Sequence, residues 1–120
     1  MIRGIKFISI PVEDQDRALA FYTEKLGFRV VTDQPFNEKQ RWIELAIPGA
    51  ETGLALFRTE EGPQPGGFMN MSFWTDDANA TAKMLMERGV EFVAGPKKES
   101  WGVSAIFKDS EGNRFVLSSR

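Results

Sequence analysis

The 120-residue chain contains no histidine and no cysteine. The first absence removes the commonest transition-metal ligand and the commonest general base together. The second excludes a disulfide framework and a thiolate metal site. An excess of positive charge is also missing. Fifteen Lys plus Arg against seventeen Asp plus Glu give a net charge of −2 with no basic run, which argues against a nucleic-acid partner held by phosphate neutralisation. Long apolar runs are missing too: the N-terminus MIRGIKFISI has no continuous apolar region with a cleavage site, and no stretch reaches membrane-spanning length. The expectation is a cytoplasmic protein with neither membrane nor nucleic acid as partner.

What is present fits a single domain over residues 1–120, long enough to bury a core without staples. The chain is organised around residues 11–28, PVEDQDRALAFYTEKLGF. Asp14 can accept from the free N–H groups of the following turn, and Asp16 adds negative charge near the positive end of the helix dipole. Ala18, Tyr22 and Leu26 recur every four residues with Leu19 beside them, giving one apolar side. Gly27 supplies the left-handed residue that stops the helix.

Around that helix, residues 4–12 alternate Ile8, Ile10 and Val12 against Phe7, Ser9 and Pro11, a strand with one strongly apolar side. Residues 28–31 read as a short strand and 33–40 as a polar loop. RWIELAIPG and TGLALFR read as a hairpin turned by Pro48-Gly49-Ala50-Glu51. Residues 60–67, EEGPQPGG, with two prolines and three glycines, have linker chemistry. The plan then restarts: a strand over 68–75, a cap at Asp76 or Asp77, a helix with Ala78, Ala82, Leu85 and Met86 inward and Met84 as core filler, a stop at Gly89, a strand over 90–93, a solvated loop GPKKES, and strands 101–108 and 114–118 joined by DSEGN. Gly27 and Gly89 lie 62 residues apart (89 − 27), as do Asp14 and Asp76 (76 − 14). The chain therefore reads as an α+β protein of two tandem βαβββ modules, one at about 1–59 and one at about 68–120.

Asp14, Arg17, Ala18, Phe21, Tyr22, Leu26, Gly27 and Phe28, together with the closing Asp109-Ser110-Glu111-Gly112-Asn113-Arg114-Phe115, resemble the vicinal oxygen chelate superfamily, which includes glyoxalase, bleomycin-resistance proteins and extradiol dioxygenases. The resemblance implies two curled mixed sheets that enclose a trough, with helices on their convex faces. Open sheet edges favour pairing with another copy, so a homodimer is expected.

Strand parity, with the Ile side under the helix, puts Phe7, Ser9, Pro11, Trp42, Glu44 and Ala46 on the trough side of module one. In module two it puts Asn70, Ser72, Trp74, Arg114, Val116 and Ser118 there. For the strand over 101–108, the side bearing Trp101, Val103, Ala105 and Phe107 fits core or cavity alike. Metal-dependent members of the superfamily place ligands at four trough positions, which the resemblance carries onto Phe7, about Leu56, Asn70 and Val116. Three hydrocarbon side chains and one amide do not form a divalent-metal site, so no metal or other cofactor is expected.

The remaining groups, Phe7, Trp42, Trp74, Trp101 and Val116 as apolar surface with Ser9, Glu44, Asn70, Ser72 and Arg114 as polar points, suit a small-molecule ligand. The first reading is a metal-independent protein that sequesters an aromatic, hydrophobic or basic ligand, as the bleomycin-resistance branch does. Two alternatives stand beside it: a metal-independent isomerase, epimerase or lyase-like enzyme using Glu44 as general base, with Asn70 or Arg114 stabilising an oxyanion, and an interaction module whose trough is closed by its own tryptophans. Trp42 and Trp101 also fit as core residues at sheet edges, and Glu44 as a solvated hairpin carboxylate.

Overall fold

Each of the chain's helices begins at an aspartate whose side chain closes the first turn. Asp14 Oδ1 accepts from the Arg17 N–H at 3.0 Å, and Asp77 Oδ1 accepts from the Ala80 N–H at 3.0 Å. The second cap is thus Asp77, which decides between the two candidates. The computed structural model describes all residues, Met1–Arg120. In order they form strand β1 (Phe7–Ile10), helix α1 (Gln15–Ala20) continued by a π-helical turn (Phe21–Lys25), and strands β2 (Arg29–Pro35), β3 (Arg41–Ala46) and β4 (Gly53–Leu56). Then come β5 (Phe68–Trp74), helix α2 (Ala78–Glu87), β6 (Phe92–Glu99), β7 (Gly102–Lys108) and β8 (Arg114–Ser119).

The strands make two four-stranded sheets of identical connectivity, β1-β4-β3-β2 and β5-β8-β7-β6. In each, the first strand pairs parallel with the fourth and the remaining pairs are antiparallel. The fold is therefore α+β with mixed sheets. The chain divides into two units, Met1–Pro65 and Gly66–Arg120.

In the first unit, α1 packs against β4, and the register pairs Ile8 with Leu54 and Ile10 with Leu56. Ile10, Leu54 and Leu56 are buried together with Ile43, Leu45, Ala18 and Tyr22. This is the core under the helix. In the second unit, α2 packs on β6, β7 and β8. Ala78, Ala82 and Leu85 bury against a core that includes Ala105, Phe107, Phe115 and Leu117, and Phe73 reaches it with its ring 5.2 Å from that of Phe115. Ser119 Oγ accepts from the Ala78 N–H at 2.9 Å, so the last strand satisfies one of the donors at the helix start.

Several boundaries differ from the sequence reading. β2 continues through Asp33, Gln34 and Pro35, where a polar loop was expected. It is an edge strand, on which a proline costs no ladder hydrogen bond. The expected GPKKES loop is instead the second half of β6, with register shifts that take up Gly95 and Pro96. Met84 and Met86 are exposed on α2, not packed into the core.

The turn after β7 is built from buried polar groups. Asp109 Oδ1 accepts from the N–H groups of Glu111 and Asn113, and Asp109 Oδ2 accepts from Asn113 Nδ2 at 2.9 Å. Asn113 Oδ1 in turn accepts from the Gly66 N–H at 2.9 Å.

Candidate functional site

Cα partners in register point to the same side of a sheet, so the face away from each helix can be read directly. In the first unit Phe7, Ser9, Trp42 and Glu44 share that helix-distal face, with Ala55 opposite both Ser9 and Glu44. Phe57 continues it two residues on. The aromatic rings touch: Phe7 to Trp42 at 5.4 Å, Trp42 to Phe57 at 5.0 Å, Phe36 to Phe57 at 4.9 Å and Phe36 to Trp42 at 6.4 Å between centroids. Phe36 is 59% exposed. The polar groups beside the rings are hydrogen-bonded within the protein. Trp42 Nε1–H donates to Glu44 Oε1 at 3.0 Å, and Ser9 Oγ–H donates to the Phe57 carbonyl at 3.0 Å.

Leu56 does not belong to this face. It pairs with Ile10 and both are fully buried under α1. β4 is buried on both sides, so its Leu-Ala-Leu run carries no alternation from which parity could be read. The face-sharing neighbours are Ala55 and Phe57. Ile43 and Leu45, the neighbours of Glu44 in sequence, are buried on the opposite side of β3, and the indole N–H of Trp42 is the group its carboxylate meets.

The aromatic cluster borders a cleft of about 1110 Å³. Phe36 and Phe57 form its apolar wall, and Arg17, Lys39, Arg41 and Arg58 face Glu13, Asp16 and Glu60 around it. Gln15 fixes the position of the cleft. As the first residue of α1, it donates through Nε2 to the carbonyls of Arg41 at 2.7 Å and Leu56 at 2.8 Å, and it accepts the Arg41 N–H through Oε1 at 2.8 Å. Helix, β3 and β4 are thereby tied at one point. Arg41 pairs with Asp33 and Asp16, each at 2.9 Å. The Asp33 hydrogen bond, opposed by burial and assisted by Asp16, holds its guanidinium above the ordinary value. It stays a cation throughout. None of the residues predicted from the sequence to bind a ligand lines the cleft, although Val12, Asp14, Asp16 and Arg17, read there as strand, cap and helix residues, do. Phe36 fell in the presumed polar loop, and Phe57 was missed because the parity of Ser9 and Glu44 was not extended along β4.

In the second unit Ser72, Trp74, Val116 and Ser118 share the helix-distal face, joined by Ser104 and Ile106 on β7. Ser72 Oγ lies 2.9 Å from Ser118 Oγ and donates to the Phe73 carbonyl at 3.1 Å. Trp74 is 80% exposed. Asn70 has φ +53 within a bulge that puts two extra residues of β5 between the Phe68 and Ser72 pairings; asparagine is among the residues that tolerate this left-handed conformation. Arg114 opens β8 on the same face as Val116. Trp101 stands apart: it is an exposed residue in the tight turn between β6 and β7, in neither core nor sheet face.

The positions to which the superfamily's metal ligands map, Phe7, Leu56, Asn70 and Val116, offer one amide among hydrocarbons, and Ala55 or Phe57 in place of Leu56 adds no donor. No three Asp or Glu side chains in the chain are grouped so as to hold a metal ion. These residues do not fit a divalent ion.

Comparison with known proteins agrees with this architecture. The chain is 37% identical to TnmS3, an antibiotic binding protein from Streptomyces sp. CB03234, with a TM-score of 0.87 and coverage of 98% of this chain and 96% of that one. It is 36% identical to a solved glyoxalase/bleomycin resistance protein/dioxygenase superfamily member from Sphaerobacter thermophilus DSM 20745, with a TM-score of 0.89 over 99% and 98% of the two chains. YetH, an uncharacterized protein of Bacillus subtilis (strain 168), is 35% identical over 98% of both chains. Residues 4–117 match the family pattern itself, and with the two βαβββ units this makes the chain a member of the Glyoxalase/Bleomycin resistance protein/Dioxygenase superfamily.

Proposed function

We propose that this protein binds a small molecule with a flat aromatic or hydrophobic group, basic molecules included, and does so without a metal ion and without chemical turnover. The observation that carries the reading is the four-ring cluster of Phe7, Phe36, Trp42 and Phe57 on the helix-distal face of the first unit, bordering a cleft of about 1110 Å³. Aromatic walls with a few fixed polar groups are the usual make-up of small-molecule sites, and the Glu44 carboxylate beside the rings favours a cation in the same place. Similarity to an antibiotic binding protein supports the same reading. Metal independence is supported by the donor chemistry of the mapped positions.

The protein acts, on this reading, as a cytoplasmic homodimer that sequesters its ligand. Tryptophan fluorescence titration with a panel of flat aromatics and glycopeptide antibiotics tests it. Saturable quenching by at least one compound is expected, weakened about tenfold by Trp42→Ala, since stacking on an indole together with the lost apolar contact is worth about 1–2 kcal/mol. An absence of quenching across the panel would sink the proposal.

A further inference from the structure

The apolar wall of the cleft in the first unit has a cation beside each of its two rings. Lys39 follows Phe36 by three residues, Arg58 follows Phe57 directly, and all four line the cleft. One clamp carries both pairs. Asn37 Oδ1 accepts from the N–H groups of Lys39 at 2.8 Å and Gln40 at 3.0 Å, which closes the loop after β2. Gln40 then donates through Nε2 to the Arg58 carbonyl at 2.8 Å and accepts the Arg58 N–H through Oε1 at 3.3 Å. The loop is thereby tied to the chain just beyond β4, and the rings of Phe36 and Phe57 meet at 4.9 Å.

The charges around the cleft are unequally committed. Arg41 is held by Asp16 and Asp33, Asp14 closes the first turn of α1, and Glu13 and Arg17 interact within the protein. Lys39 and Arg58 form no ion pair, and the Arg58 guanidinium has only the neutral Gln64 amide beside it, at 3.5 Å. Among the lining carboxylates Glu60 alone is uncommitted in the same way. Two cations thus stand against one carboxylate. Glu44, the acceptor on the ring cluster, is bonded to the Trp42 indole and does not line the cleft.

From this arrangement we propose that the cleft takes a flat aromatic acid, its ring against Phe36 and Phe57 and its anionic group at Arg58 and Lys39. A guanidinium presents paired N–H groups that match a carboxylate, and an ammonium beside it supplies further donors. The inference rests on the binding reading above and names, within it, the ligand class for this cleft.

2-Naphthoate and 2-naphthamide separate the possibilities, since they share one ring system and nearly one shape and differ in charge. In calorimetric titrations of the full chain at pH 7, 2-naphthoate is expected to bind about tenfold tighter, the scale of hydrogen bonds between charged groups. Lys39 and Arg58 are exposed, and the Gln40 clamp uses only the backbone of Arg58, so a double Lys39→Gln, Arg58→Gln variant keeps the wall in place. A drop of the preference to about threefold or less in that variant supports the assignment, provided that Lys97→Gln with Lys98→Gln, an equal change in net charge at exposed positions of β6, leaves it at about tenfold. An equal drop in both variants overturns the assignment, as does a preference that survives in the first. Equal binding of the two probes by the unmodified chain overturns it too and leaves the binding reading intact. If neither probe binds, the binding reading falls as well.

Discussion

The polar side chains that hold this fold are few, and each meets backbone groups that would otherwise lack partners. Gln15 is the clearest case, since its amide makes three bonds to β3 and β4. Gln15→Ala is expected to lower stability by about 1–3 kcal/mol in urea unfolding, the cost of leaving such groups unsatisfied; a change below about 0.3 kcal/mol would show the three bonds to be dispensable. Asn113 is fully buried and bonds both Asp109 and the Gly66 N–H. Asn113→Ala should cost as much as the Gln15 change, and Asn113→Asp should not rescue it, because Asp109 then faces a second carboxylate in place of a donor. Loss of either aspartate cap, in Asp14→Ala or Asp77→Ala, should cost about 1 kcal/mol, readable as a shift of the unfolding midpoint. At this scale the sequence was legible wherever a side chain alternated cleanly. Phe7, Ser9, Trp42 and Glu44 were placed on one face by parity alone, and Ser72, Trp74 and Val116 on another. Leu56 was misplaced because both sides of β4 are apolar, and Trp101 because a residue at a strand's end was counted into the strand.

At the scale of elements, the first helix shows how an irregularity is written in residue counts. The stop glycine lies thirteen positions after the cap in the first unit (27 − 14) and twelve in the second (89 − 77). The additional residue is taken up by the π-helical turn over Phe21–Lys25, where the Leu26 N–H reaches back to the Phe21 carbonyl at 3.3 Å. The widening lets Phe21 and Tyr22, adjacent in sequence, both bury, while Leu26 stays half-buried. The four-residue spacing of Ala18, Tyr22 and Leu26 therefore signalled a helix correctly but not its shape. Pairing Asp14 with Asp76 hid the insertion, because the true cap is one residue later. Glycine sets the other elements. Gly102, at φ +153, has the Ser119 carbonyl oxygen where a Cβ would stand, so β7 and β8 approach only without a side chain there. Gly102→Ala should destabilise by roughly 1–3 kcal/mol in thermal or urea unfolding, whereas alanine at Gly67, with nothing within 4 Å of its added Cβ, should be near neutral. Equal stability of the two variants would contradict the close approach.

For the whole molecule, duplication is the most legible property, because two sheets with the same strand order repeat one plan. Strand parity, caps and stop glycines all carry that repeat, although few residues are identical between the halves. Function was less legible. Caps and turns mark a scaffold shared by proteins of different activity, and the apolar wall of the cleft, Phe36 and Phe57, comes from residues that carry no motif. The unpaired edges of β1 and β5 within their sheets favour association, and sedimentation at micromolar concentration should give twice the 13.5 kDa chain mass; a mass of one chain would remove the homodimer from the account. Its central claim, that an aromatic-lined face binds a ligand without a metal ion, is tested most directly by titrating 2-naphthol into protein stripped by a chelator and into the same protein resupplied with divalent zinc, nickel, iron or manganese. The account predicts saturable binding of equal affinity in all of them. Binding that vanishes on chelation and returns with one of those ions would contradict it.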